Sequence, residues 1–95
     1  MKLIKVGSNS RTAAVAGAIA GIIREDQRVE AQAVGAAAVN QVVKALILAN
    51  EYLRGDGMQV VCLPVYVNIS AEGRARTAVK FLIESRAIQD YPAEL

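Results

Sequence analysis

The sequence predicts an α/β (α+β) two-layer sandwich in the order β-α-β-α-β-β, a four-stranded mixed sheet with two helices on one face. Three observations predict it. Residues 11–24 and 36–54 carry apolar side chains at helical spacing, and each segment follows a short β-prone stretch. Residues 58–70 form a long β-prone run, and Ala71-Glu72-Gly73-Arg74 turns it into an alternating return strand. Two β-α-β crossovers of the usual right hand place both helices on the same side of the sheet. The 95 residues suffice for one domain. No linker divides them: 1–86 read as a single domain and 87–95 as a C-terminal tail.

Lys2 to Val6 reads as the first strand, and Gly7-Ser8-Asn9-Ser10 as a turn in which Ser10 or Asn9 caps the next helix. In that helix Val15, Ile19, Ile22 and Ile23 form a core stripe. Ala13, Gly17 and Gly21 form a second, smooth stripe that invites close backbone approach. Glu25-Asp26-Gln27 closes the helix, and Arg28 to Val34 alternates as a half-buried strand.

The stretch from Gln32 to Lys44 organises the chain: a strand runs out, Gly35 turns, and a helix starts at once. Val39, Val42, Val43, Leu46, Ile47 and Leu53 are its expected buried side, and Gly55-Asp56-Gly57 its end. In the hairpin, Val61, Leu63, Val65, Val67 and Ile69 share one face, and Val60, Cys62, Pro64, Tyr66 and Asn68 the other. Pro64 has no N–H for a ladder and predicts an edge strand or a bulge. On the return strand Thr77, Val79, Phe81 and Ile83 point to the core, and Arg74, Arg76, Ala78, Lys80 and Glu84 away from it. The segment 85–95 has weak pattern and reads as a tail, loose or packed across a dimer.

Composition narrows the function. Hydrophobic residues make up 54% but aromatics only 4%, so the core is built from Ala, Val, Ile and Leu. Such a small-residue core in a small domain predicts further stabilisation from a homodimer contact. The net charge of +2 permits nucleic-acid binding without demanding it. With no His, the chain lacks the commonest neutral-pH acid/base group. Its one cysteine, Cys62, excludes an internal disulfide and a cysteine zinc cluster. No pair of carboxylates stands out, so no enzymatic activity and no cofactor are expected. The N-terminal apolar stretch is too short for a signal peptide, and residues 13–23 too short to span a bilayer. A cytoplasmic protein with no membrane contact is expected.

Three sets of residues carry possible binding chemistry. The turns at Gly7 to Arg11 and Val34 to Ala37 lead into helix starts, either ordinary caps or anion sites. Lys5, Arg74, Arg76 and Lys80 lie on the open strand face, where Glu30, Glu72 and Glu84 also fall; it is a groove-tracking surface or a solvated mixed-charge one. Asn40, Gln41 and Lys44 mark the second helix as a nucleic-acid or subunit contact.

These residues also carry a resemblance. Lys5-Val6, Val15-Ala16-Gly17-Ala18 with Gly21, and Gln32-Ala33-Val34-Gly35-Ala36 with Asn40-Gln41 and Val43-Lys44-Ala45 resemble the stage V sporulation protein S family. Cys62-Leu63-Pro64 and Arg76-Thr77-Ala78-Val79-Lys80 continue it, so it spans roughly residues 2–86. That family is similar in turn to the Alba chromatin proteins, which implies an Alba-like dimer that binds DNA or RNA. Carried over by position, the resemblance points to Arg11, Arg74 and Arg76. It fails on the second helix, where Val34, Ala36 and Asn40 stand in place of basic residues and Lys44 is nearly alone. The expected role is a small regulator contacting phosphates through Lys5, Arg11, Lys44, Arg74, Arg76 and Lys80, with polar contacts from Asn40 and Gln41. The alternative is a dimeric protein-interaction module in a sporulation or cell-division pathway. Its interface would be the second helix with Tyr52, or the strand face around Cys62 and Tyr66. A small-ligand sensor at the two helix starts is a third reading.

Overall fold

A computed structural model describes residues 2–89. The elements are β1 (Leu3–Val6), α1 (Thr12–Asp26), β2 (Arg28–Ala33), α2 (Ala36–Leu53), a 3₁₀ turn (Arg54–Asp56), β3 (Met58–Ala71) and β4 (Arg74–Ala87). The order is the expected one. The sheet runs β1-β2-β4-β3, with β1 and β2 parallel and β4 antiparallel to both of its neighbours.

Both helices lie on one face. Val15, Ile19 and Ile23 of α1 and Val42 and Leu53 of α2 are buried against Val6, Val29, Ala31, Ala33, Phe81 and Ile83 of the sheet. Each large aliphatic side chain so buried contributes about 1.5–3 kcal/mol. The close packing runs through alanines: Ala16, Ala20, Ala38, Ala45 and Ala49 are all fully buried. The expected glycine stripe does not supply it. Ala13 and Gly17 are exposed, and a Cβ built on Gly17 or Gly21 would meet nothing within 4 Å.

Other expectations need correction. Neither Ser10 nor Asn9 caps α1; Arg11 holds the cap position without a side-chain bond, and Ser10 Oγ accepts the Gly7 N–H at 2.9 Å instead. Val43 and Ile47 are not buried, because the helix turns them past the rim of β3; Ile47 is 59% exposed. Thr77 is exposed and Ala78 is buried, as described below. The segment 85–87 is not tail but the end of β4, held where the Ser85 N–H reaches the Gln27 carbonyl at 3.0 Å. Of the expected tail, residues 90–95 lie outside the described residues.

Gly35 is the pivot it was read to be. Its φ of 90° and ψ of 158° belong to a region almost confined to glycine, and α2 starts on the next residue. The hairpin closes on Glu72 and Gly73, both at positive φ, the two-residue geometry that matches strand twist.

β3 is an edge strand, as Pro64 predicted. The Val60 N–H donates to Asn50 Oδ1 at 2.8 Å and so points away from β4. Strand alternation then aims the backbone groups of residues 62, 64 and 66 outward as well. Pro64 sits where no ladder within the sheet needs its missing N–H.

Candidate nucleic-acid interface

The site begins with where the sheet stops. Pairing between β2 and β4 ends at Ala33 and Val79, and β1 ends opposite Ala33. Beyond that level the hairpin continues alone, from Val67 paired with Ala78 to Ala71 paired with Arg74. A two-stranded ribbon twists more than a wide sheet, and this arm leans over the open face. Two observations establish the lean. Ala78 is on the helix-free face yet only 1% exposed. Ile69, Ser70 and Ala71 of β3 share a cleft with Leu3, Lys5 and Gln32, although β1 and β3 are opposite edges of the sheet.

This concave face gathers four of the predicted site residues. Lys5 lines the cleft. Arg76 stands opposite Ile69 and Arg74 opposite Ala71, so both share the face of those cleft residues. Lys5, Arg74 and Arg76 are exposed and enter no ion pair among the described residues. Lys80 differs: its Nζ lies 3.4 Å from Glu30 Oε1, half-screened on the sheet floor. Arg28 and Glu84 form a second cross-strand pair, also at 3.4 Å. The carboxylates expected to compete on this face are thus divided. Glu30 and Glu84 have partners, and Glu72 stands at the hairpin tip.

The other four residues lie on the helical layer. Gln41 is a structural tie. Its Nε2 donates to the Ser10 carbonyl at 2.7 Å, and its Oε1 accepts from Thr12 Oγ1 at a long 3.5 Å. It anchors the β1–α1 loop, with Arg11 in it, to α2. Arg11, Asn40 and Lys44 are exposed, and the two residues on α2 stand one turn apart. Both helix starts lie at the same end of the parallel pair β1 and β2, as the sequence implied. Neither first turn carries an acidic residue.

A third surface flanks β3. An apolar groove of about 400 Å³ runs between α2 and β3, lined by Val43, Leu46, Ile47, Asn50, Cys62, Pro64 and Phe81 among others, with no charged residue. Tyr66 stands 82% exposed beside it, and Leu63, on the opposite face of the same strand, is 60% exposed. Partial burial pushes the Cys62 thiol above its ordinary pKa, which makes it a poor nucleophile. No group of three or more His, Cys, Asp or Glu side chains among the described residues is placed to hold a metal ion. No helix among them is long and apolar enough to cross a membrane.

The sequence located the cations but missed the cleft. The sequence pattern places Ile69 on a strand face and Leu3 and Gln32 within their strands, with no cleft role for any of them. Alternation alone assigns Leu3 and Gln32 to the open side; the lean of the arm that brings Ile69 to them has no signal in the pattern.

Comparison with known families agrees with the motifs quoted above. Residues 2–86 match Stage V sporulation protein S, a span that takes in every strand and helix except the last residue of β4. With nearly the whole described fold inside that match, the chain belongs to the stage V sporulation protein S family.

Proposed function

We propose that this protein is a small, non-enzymatic regulator of the sporulation-associated class that binds nucleic acid, and that it works in the cytoplasm as a homodimer. The observation that carries the reading is the concave face: three exposed cations, Lys5, Arg74 and Arg76, without ion-pair partners among the described residues, set around a protruding two-stranded arm. Such ribbons track phosphates or enter grooves. The likeness to Alba proteins read from the sequence supports the same mode. Arg11 and Lys44 are exposed on the helical layer, apart from the concave face. Lys80 and Gln41 contribute little directly, because each is already engaged within the chain.

A fluorescence-anisotropy titration with labelled DNA and RNA at low salt tests this. Binding that weakens steeply as salt rises is expected. Absence of binding to either polymer at low salt rejects the proposal.

The apolar groove favours a second reading, a dimeric protein-interaction module that uses the α2–β3 flank. Specific capture of a protein partner by a chain that retains no nucleic acid would favour it over the first. On the first reading a second copy is the expected occupant of that flank, since it is uncharged and continuous from Val43 to Pro64.

A further inference from the structure

The cleft under the arm is more than a place for phosphates. Its volume is about 450 Å³, within the range of about 300–1,000 Å³ typical of small-molecule sites. Its walls are of two kinds. Leu3, Val34 and Ile69 present aliphatic surface, while Gln32 presents an amide and Ser70, its side chain on the other face of the strand, only borders the cleft. Lys5 stands in the cleft, and Arg76 and Arg74 share the face of its far wall. No carboxylate lines it. An apolar slot with a hydrogen-bonding amide and cations at its rim matches one unit of a polynucleotide: a flat apolar base, polar along its edges, joined to an anionic phosphate. A base paired inside a duplex cannot enter such a slot, because its faces are stacked and its pairing edge is used.

We propose that this cleft takes an unstacked base of single-stranded nucleic acid, with Gln32 bonding its edge and Lys5 and Arg76 its flanking phosphates. This rests on the nucleic-acid reading above and deepens it from a charge surface to a nucleotide-sized pocket. An aliphatic slot reads shape more than identity, so modest base selectivity is expected, as in other single-strand binders.

The test uses the full chain and three labelled probes of equal length: a single strand, the same strand with abasic sites throughout, and the duplex. The expected result is at least about fivefold tighter binding of the base-bearing strand than of the abasic one, set at the lower end of the range for stacking on aromatic side chains because this slot is aliphatic. Leu3→Ala and Ile69→Ala should narrow that ratio while leaving the abasic affinity unchanged. Leu3 is an exposed residue, so its variant should fold, and circular dichroism checks both. Equal affinity for base-bearing and abasic strands, or a preference for duplex, overturns the pocket but leaves the phosphate-binding function standing. Failure to bind all three probes overturns both. Competition by a free nucleoside monophosphate at the strand's own affinity would overturn the assignment to a polymer.

Discussion

At the scale of single residues, two glycines that look alike in the sequence have opposite consequences. Gly35 has a backbone conformation that L-residues avoid, and although nothing crowds its missing Cβ, Gly35→Ala should destabilise the fold by about 1–3 kcal/mol. Gly17 sits in the middle of α1 with ordinary helical geometry and open space around it. Gly17→Ala should therefore stabilise by up to about 1 kcal/mol through helix propensity. Thermal or urea denaturation of both variants checks the pair; a destabilised Gly17→Ala would show that this smooth stripe faces a partner. Gln41 gives a second residue-scale prediction. Its amide joins two segments across the helical layer, so Gln41→Ala should cost about 1–2 kcal/mol of stability. Measured under conditions where the variant is folded, its affinity for nucleic acid should be unchanged. A loss of affinity without loss of stability would make Gln41 a contact residue.

At the scale of elements, the arm is the part to probe. Arg76→Ala removes one exposed cation from a hydrogen-bonded hairpin without touching the core. It should weaken binding to all sequences alike and flatten the salt dependence by about 0.7–0.9 in log–log slope, the value of one phosphate contact. Titrations at several salt concentrations read both. The same changes are not expected for Lys80→Ala, whose ammonium already faces Glu30. The elements themselves were largely legible. Alternation found the open and covered faces of β1 and β2, and apolar spacing found both helices. Gly35 and Gly57 fell where the turn and the end of α2 lie. Three features were not legible, each for a physical reason. Val43 and Ile47 follow the same period as the core residues, and only the position of the edge strand decides that they are left uncovered. The Gly17 and Gly21 stripe resembles a packing surface, yet alanines do that packing, because a single methyl fills the space between these layers. The cleft depends on a lean of the arm, which arises from twist accumulated over paired strands and not from any one residue.

At the scale of the whole molecule, the radius of gyration of 13.7 Å exceeds the about 12 Å expected of a compact chain of this length, consistent with an arm that projects from the body. The body itself leaves a large apolar flank. Among the described residues Ile47, Leu63 and Tyr66 are the most exposed large hydrophobic side chains, and all three adjoin the β3 edge. Sedimentation equilibrium should show a dimer at micromolar concentration for the native chain, and Ile47→Glu should shift it to monomer while retaining native circular dichroism. A native chain that remains monomeric would remove the homodimer from the proposal. Cys62 provides an internal reporter of the same equilibrium. Its raised pKa already slows alkylation near neutral pH, and dimer formation should slow it further as protein concentration rises.

The bare edge of β3 has one more consequence, for selectivity among would-be strands. A long apolar edge is ordinarily a template on which any extended segment can add, and indiscriminate addition ends in fibrils. Here the template is punctuated: Asn50 occupies the outward Val60 donor, and Pro64 offers none four residues on. An incoming strand therefore finds an incomplete ladder across the very stretch where Cys62 and Tyr66 are most inviting. A partner that docked on this flank through side chains would escape that penalty, whereas one that relied on backbone pairing would lose two ladder bonds.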